Sequence, residues 1–286
     1  MPTIHSTAII DSSATIGKNT EVGPYSVIGP EVVIGESCRL GPHVTIVSHT
    51  TIGDRCVVHS GAVLGDEPQD LSFSGEASYV RIGNDCRIRE GVTIHRGTTP
   101  GSETVMGDNC FMMAFTHLAH NVTLGNGVIM ANGAVLGGYV TVGEGAFIGG
   151  ITGVHQFVSI GRFAMIGGSA GISKDFAPFM TARGVTLNCV SGLNTVGLRR
   201  AGFSPEERRD IKTAYQTLFN SDLNIGQNNP NYNAESQRRI SAKTGDSDNR
   251  PLGKTNAPDV ELNQPPVKNA EGYDVPERVT RRDNNF

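Results

Sequence analysis

The sequence predicts an all-β solenoid, a parallel β-helix in which very short strands wind around an aliphatic axis. First, an aliphatic residue or methionine occupies every sixth position from Ile4 to Ile172, with three exceptions, Asp70, Glu76 and Pro100. Second, a small or β-branched residue follows four positions later in most repeats, as at Ala8, Ala14, Thr20, Cys38, Ala62, Val92, Ala146 and Ala170. A period of six fits neither an α-helix nor an alternating strand, and it is typical of hexapeptide repeats.

Each hexad is expected to supply one short strand and one corner. Three hexads close a triangular coil of eighteen residues, and successive coils pair as parallel strands about 4.8 Å apart. Because each coil contacts mainly its neighbours, the core becomes a stack of aliphatic layers. The periodic region predicts that this β-helix covers residues 1–178.

Two segments interrupt the aliphatic series without losing its phase. Residues 65–79 contain Asp70 and Glu76 at the expected aliphatic positions, and residues 97–104 contain Pro100. We expect both segments to leave the β-helix as loops. Loops on a rigid scaffold often carry binding and catalytic residues.

A different organisation is expected after the repeats. Residues 179–220 are predicted to form a connector and a helical region, because Ser204 can cap a helix that begins at Pro205. An apolar stripe at helical spacing follows, formed by Ile211, Ala214, Tyr215, Leu218 and Phe219. Residues 221–286 are rich in Asn, Pro, Ser and charged residues, which predicts a disordered polar tail.

Composition narrows the classes of function. The net charge of −4 argues against a nucleic-acid-binding protein, which usually carries a basic stripe. The N-terminus does not look like a signal peptide, and no apolar run is long enough to span a bilayer. We therefore expect a cytoplasmic protein without stable membrane insertion. Four cysteines occupy the small-residue position of their hexads and are expected to be structural: Cys38, Cys56, Cys86 and Cys110.

Counting in eighteens places chemically active residues in one column. His120, Gly138 and Gln156 should stack on successive coils, with His117 and His155 beside them. A neutral imidazole can accept a proton from a hydroxyl group, and a glycine amide can stabilise an oxyanion, so the column suggests acyl transfer. The spacing leaves two other interpretations open: the histidines could be incidental surface residues, or three of them could bind zinc.

Four segments then carry a family resemblance: 88–98, 117–121, 153–157 and 197–204. They closely resemble UDP-N-acetylglucosamine 3-O-acyltransferases, the first enzymes of lipid A biosynthesis, and the resemblance extends over residues 1 to about 220. It implies a left-handed β-helix and a homotrimer with active sites between subunits. It also implies acyl transfer from a 3-hydroxyacyl-acyl carrier protein to the 3-hydroxyl of UDP-N-acetylglucosamine, without a metal or dissociable cofactor.

The resemblance also assigns roles to individual residues. His120 matches the general base, and Gly138 matches the residue whose amide stabilises the oxyanion. Gly168 matches a position that limits acyl-chain length, and a glycine there suggests a longer chain. The remaining matches are to residues that position the sugar, the acyl chain or the nucleotide: Asp70, His117, His155, Gln156, Asn194 and Arg200.

The chain departs from the family pattern at five positions. Asn121 replaces the aspartate that commonly follows the base, and Tyr139 replaces a histidine. Ser72 stands where a substrate-binding lysine is common, and Val196 and Ala201 stand where a glutamate and a second arginine can contact nucleotide. These departures bear on the identity of the sugar nucleotide more than on acyl transfer.

Other functions share parts of this pattern. The N-acyltransferase of the same pathway is disfavoured because it carries an additional N-terminal domain, whereas hexads begin here at Ile4. A zinc-dependent carbonic anhydrase uses the same prism with histidines at a subunit interface. A catalytically inactive scaffold is the third alternative, suggested by Asn121 and the altered C-terminal region.

Overall fold

The computed structural model describes residues 1–184 and 190–220, and these form a parallel β-helix followed by two helices. The predicted class, a left-handed β-helix with a short α-helical C-terminal region, is confirmed. The polar tail predicted for residues 221–286 and Cys189 lie outside the described residues.

Three sheets of 11, 9 and 8 strands form the faces of the prism. The first sheet contains Thr3–Ile4, Glu21–Val22, Arg39–Leu40, Val57–Val58, Arg87–Ile88, Phe111–Met112, Ile129–Met130, Phe147–Ile148, Met165–Ile166, Met180–Ala182 and Val190–Leu193. The second contains Ile9–Ile10, Val27–Ile28, Thr45–Ile46, Val63–Asp66, Thr93–His95, His117–Leu118, Val135–Leu136, Gly153–Val154 and Gly171–Ile172. The third contains Thr15–Ile16, Val33–Ile34, Thr50–Ile52, Tyr79–Ile82, Glu103–Met106, Thr123–Leu124, Thr141–Val142 and Ser159–Ile160.

The core consists of the hexad aliphatic residues in columns along the axis. Ile28, Ile46 and Leu64 form such a column and are at most 1% exposed. In each two-residue strand, the residue before the buried aliphatic residue points outward, as the pleat of a β-strand requires. The core is therefore a stack of aliphatic layers, with one layer for each coil.

The four described cysteines lie in one buried column at the corner between the third and first sheets. Their thiols donate to backbone carbonyls of the next coil, as Cys38 Sγ does to Gly53 at 3.1 Å and Cys86 Sγ to Gly107 at 3.2 Å. Hydrogen bonding to Cys110 and burial raise the pKa of Cys86 to about 12, so this thiol stays protonated at neutral pH. These contacts are those of small structural residues.

Both interruptions of the hexad series leave the prism at the same corner, between the second and third sheets. Leu64 pairs with Ile94 and Ile94 pairs with Leu118, at separations of thirty and twenty-four residues instead of eighteen. The insertions are thus multiples of six, which explains why the hexad phase survives them. We call this corner the loop corner, and it includes residues 11–14, 29–32, 47–49, 67–78, 96–102, 119–122, 137–140 and 155–158.

Two helices follow the last strands, α1 (Thr195–Arg200) and α2 (Pro205–Asn220). At the start of α2, the Ser204 hydroxyl accepts from the Glu207 amide at 3.2 Å, and the Glu207 carboxylate accepts from the Ser204 amide at 2.7 Å. This is the reciprocal capping box, which satisfies two otherwise unpaired helix donors. Tyr215 and Phe219 from the predicted apolar stripe pack against the hydrophobic core, whereas Leu218 is exposed.

Candidate active site

His120 lies at the loop corner with its imidazole seated directly on Gly138. The residue is only 9% exposed. A Cβ atom added at Gly138 would come within 3.0 Å of three imidazole atoms, Cε1, Nε2 and Nδ1, closer than real Cβ atoms approach. The ring therefore occupies the volume that a larger side chain at position 138 would fill. As a result, the backbone of Gly138 lies directly against the imidazole.

The column predicted from the eighteen-residue period is present in the structure. The amide of Tyr139 donates to the carbonyl of His120 at 3.0 Å, and the amide of Phe157 donates to the carbonyl of Gly138 at 2.9 Å. These bonds hold residues 120, 138 and 156 on three successive coils. Gln156 is exposed beside this column.

An aromatic ladder borders the column on its outer side. The Tyr139 ring meets the His120 imidazole edge-on at 5.2 Å and stacks on Phe157 at 5.1 Å. Both aromatic residues have left-handed backbone conformations at the corner, with φ near 60° and 67°. The two residues occupy equivalent corner positions on successive coils, so their rings stack. The Tyr139 ring covers one side of the imidazole.

The two imidazole nitrogens of His120 face different partners. Nδ1 lies 3.1 Å from Oδ1 of Asn121, and Nε2 lies 3.7 Å from Oδ2 of Asp70. The Ser72 amide and hydroxyl donate to Asp70 at 2.9 and 2.8 Å. These bonds, with a smaller contribution from the charge of His120, lower the pKa of Asp70 and keep a carboxylate beside Nε2.

Arg96 anchors the loop that carries Asp70, a role that was not predicted from the sequence. Its guanidinium is buried and donates to the hydroxyl of Ser48 at 3.0 Å and to the carboxylate of Glu67 at 3.3 Å. The same group lies over the ring of Phe73 at 5.2 Å. A planar cation can combine these contacts, whereas a point charge cannot. The sequence signal was an arginine directly after a strand, where the second loop begins.

Two further histidines extend the site along the second sheet. Nδ1 of His117 lies 2.7 Å from the hydroxyl of Thr93, and the rings of His117 and His95 meet edge-on at 4.9 Å. Burial, with smaller contributions from His95 and His120, lowers the pKa of His117 to about 4. Burial also lowers the pKa of His95, so both rings are neutral at physiological pH. No role was predicted for His95 from the sequence.

His155 borders an open groove on the outer face of the second sheet. Its Nδ1 donates to the backbone carbonyl of Gln156 at 3.0 Å. The groove has a volume of about 460 Å³. Most of its lining is apolar or glycine, including Ala119, Val135, Gly153 and Gly171, with His117 and His155 at its sides. The groove begins beside the column and is suited to an apolar chain.

Three of the predicted site residues lie away from His120 within the chain. Gly168 is at the corner between the first and second sheets, next to Gly150. The Asn194 side chain caps α1 by accepting from the Gly197 amide at 3.0 Å, and it donates to the Phe163 carbonyl at 2.9 Å. Arg200 is exposed in the last turn of α1. The structure therefore groups His120 with Asp70, His117 and Gly138, but not with these three residues.

Among residues 1–184 and 190–220, no set of three or more His, Cys, Asp or Glu side chains is arranged to hold a metal ion. Within the same residues, no helix has both the length and the apolar character needed to cross a membrane.

Comparison with protein families identifies the class. The profile described as "UDP N-acetylglucosamine O-acyltransferase, domain 2" matches residues 175–243, and the profile of bacterial transferase hexapeptides matches residues 103–138. A third profile, the GMPPB C-terminal domain, matches residues 4–69. The hexapeptide β-helix and these profiles thus define an acyltransferase of the hexapeptide-repeat class.

Individual relatives define the family. An acyl-[acyl-carrier-protein]--UDP-N-acetylglucosamine O-acyltransferase from a Synechocystis species is 45% identical over 221 residues, which is 77% of this chain and 80% of the relative. The enzyme of that name from Thermodesulfovibrio yellowstonii is 47% identical over 184 residues, 64% of this chain and 71% of the relative. The solved UDP-N-acetylglucosamine acyltransferase of Francisella novicida has a TM-score of 0.76 at 35% identity, covering 85% of this chain and 87% of its own. The chain belongs to the UDP-N-acetylglucosamine O-acyltransferase family, which confirms the resemblance drawn from the sequence.

Proposed function

We propose that this protein transfers a 3-hydroxyacyl group from acyl carrier protein to the 3-hydroxyl of UDP-N-acetylglucosamine, the first step of lipid A biosynthesis, in the cytoplasm. The observation that carries the proposal is the His120 imidazole seated on Gly138, with Nε2 facing the Asp70 carboxylate. The names of the relatives given above support both substrates.

In the proposed reaction, Nε2 of His120 accepts the proton of the sugar 3-hydroxyl as its oxygen attacks the thioester carbonyl. The backbone amide of Gly138 donates to the oxyanion of the tetrahedral intermediate. Collapse of this intermediate breaks the carbon–sulfur bond, and His120 returns its proton to the departing thiolate of the carrier protein. One carbon–oxygen bond forms, one carbon–sulfur bond breaks, and the hydroxyl proton ends on the thiol. The reaction needs no metal or dissociable cofactor, since the thioester already activates the acyl group.

The Asp70 carboxylate has two effects in this scheme. It lies 3.7 Å from Nε2, so its negative charge stabilises the imidazolium that forms as the hydroxyl proton is taken up. It can also accept a hydrogen bond from the sugar. The neighbouring His117 stays neutral and therefore adds no repulsion to this charge.

The proposed assembly is a homotrimer. Asn194, Arg200 and Gly168 lie away from the loop corner of their own chain, where they cannot act with His120. In a threefold arrangement, residues at one corner of a subunit can approach a different corner of its neighbour. Asn194 and Arg200 would then contact the nucleotide, His155 and Gln156 would position sugar and acyl chain, and Gly168 would face the end of the acyl chain.

His120→Ala tests the proposal. We expect this variant to lose most of its acyl transfer, measured with UDP-N-acetylglucosamine and a panel of 3-hydroxyacyl-acyl carrier proteins, because the remaining acceptor nearby, Asp70, has a lowered pKa and is a weaker base than an imidazole. General-base catalysis contributes on the order of 10²–10⁴-fold. The matched control is His5→Ala, which removes an exposed histidine at the N-terminal end of the prism and should retain activity. Sedimentation of both variants checks that assembly is unchanged, and substantial turnover by His120→Ala would overturn the assignment.

A further inference from the structure

The side chain next to His120 is an amide, and an amide has two ends with opposite hydrogen-bonding character. If the oxygen of Asn121 faces the imidazole, Nδ1 of His120 must donate, and Nε2 is left with a lone pair. If the NH2 group faced the imidazole, Nδ1 would accept, and Nε2 would carry the proton and could not act as a base. The orientation of this amide therefore decides whether His120 is in the reactive tautomer.

Thr98 fixes the amide in the productive orientation. Its backbone N–H and its hydroxyl both donate to Oδ1 of Asn121, each at 3.1 Å. A backbone N–H can only donate, so the atom facing it must be the oxygen. Thr98 is buried, at 8% exposure, which makes an unpaired donor at this place costly.

Tyr139 completes the chain of hydrogen bonds. Its hydroxyl lies 3.0 Å from the hydroxyl of Thr98. Because the Thr98 hydroxyl gives its hydrogen to Asn121, it accepts from Tyr139, and every donor direction in the chain is thereby set. The backbone of Asn121 is held separately, since its amide donates to the hydroxyl of Thr104 at 2.8 Å.

We propose that Thr98 and Tyr139 are positioning residues that lock the Asn121 amide, and through it hold His120 in the tautomer with Nδ1 protonated. The inference rests on the proposed role of His120 as the base. The lock matters because Asn121 is neutral: a carboxylate at this position would present an oxygen in either orientation and would need no lock. In a serine protease, an asparagine in place of the orienting aspartate lowers kcat by about 10⁴ through the wrong tautomer.

The test compares Thr98→Val in two backgrounds, the natural chain and Asn121→Asp. Valine keeps the shape and the backbone N–H of Thr98 but removes the hydroxyl. With Asn121 present, we expect kcat to fall about tenfold with KM little changed, since one of two locking donors is lost. Thr98→Ser should restore most of the rate because it keeps the hydroxyl.

In the Asn121→Asp background, the loss caused by Thr98→Val should shrink to about twofold or less. Thr15→Val, at an exposed threonine of the third sheet, is the matched control.

Tyr139→Phe tests the outer link of the chain. This variant keeps the ring contacts with His120 and Phe157 and removes only the hydroxyl. We expect a loss of a few-fold in kcat in the natural chain and no additional loss once Thr98 is valine. An equal loss in both Thr98 backgrounds would overturn the role of Tyr139 in the lock.

A second readout does not depend on turnover. ¹⁵N NMR of histidine-labelled protein distinguishes the two neutral tautomers, and comparison with His120→Ala assigns the signal. We expect the Nδ1–H tautomer in the natural chain and a detectable minor population of the Nε2–H tautomer in Thr98→Val, because only the backbone N–H then holds the amide. Equal kcat losses for Thr98→Val in the natural chain and in the Asn121→Asp background, or an unchanged tautomer, would overturn the lock. Turnover retained by His120→Ala would instead overturn the proposed function, while the NMR result would still report on the lock.

Discussion

Gly138→Ala adds a single methyl group at the point where the imidazole and the backbone meet. The new Cβ would lie within 3.0 Å of Cε1, Nε2 and Nδ1 of His120, whereas ordinary contacts begin near 3.4 Å. Gly138 does not have a left-handed φ, so its backbone accepts alanine, and the cost arises from the contact alone. The imidazole cannot move away freely, because Asn121 and Tyr139 hold it on other sides.

The expected effects follow from this crowding. Overfilling a well-packed site costs about 1–3 kcal/mol of the free energy of unfolding. A displacement of about 1 Å of a catalytic group lowers the rate by about 10²-fold. Urea unfolding and kcat measurements on Gly138→Ala therefore should show a moderate loss of stability and a large loss of activity.

A double-mutant cycle isolates the contact. In the His120→Ala background the methyl group has room, so Gly138→Ala should cost almost nothing in the free energy of unfolding. The coupling between the two sites should equal the loss of about 1–3 kcal/mol in the natural background. Gly153→Ala is the stability control, because a Cβ there meets nothing within 4 Å. Additive effects of the two substitutions would refute the reasoning.

Two further predictions concern pH and chain length. The folded-state pKa of His117 is about 4, below the usual value of about 6.5. As pH falls, His117 is therefore protonated in the unfolded chain before it is protonated in the folded protein. The free energy of unfolding should decrease by up to about 3 kcal/mol as pH drops from about 6.5 to 4. His117→Gln should remove that part of the decline in urea unfolding, measured at about pH 4.5 and about pH 7.5; an unchanged pH slope would contradict the assignment. Gly168→Met should shift donor preference toward shorter 3-hydroxyacyl chains, because the rest of the side chain would extend from the corner once a Cβ 3.2 Å from the Gly150 carbonyl oxygen is accommodated by a small shift. Gly168→Ala is the smaller control, and unaltered donor selectivity in the methionine variant would exclude Gly168 from the acyl site.

The column of His120, Gly138 and Gln156 was predictable because its members lie beyond both loops. From His117 to Ile172 the coils repeat every eighteen residues, so His120, Gly138 and Gln156 could be stacked by counting. Counting fails across the loops, where paired residues are thirty or twenty-four apart. His117 therefore stacks on Thr93, a neighbour that an eighteen-residue period does not give.

By itself the sequence determined the solenoid, the aliphatic residues that point to its axis, the two loops and the histidine column. A strict period of six leaves only one arrangement that buries all of these aliphatic residues. Only the tertiary structure decided that both loops leave at the His120 corner, that Arg96 anchors one of them, and that Thr98 and Tyr139 orient Asn121. It also placed Asn194 in a helix cap away from His120. Loop paths and side-chain hydrogen bonds have no period, and they depend on which atoms the fold brings within about 3 Å of each other.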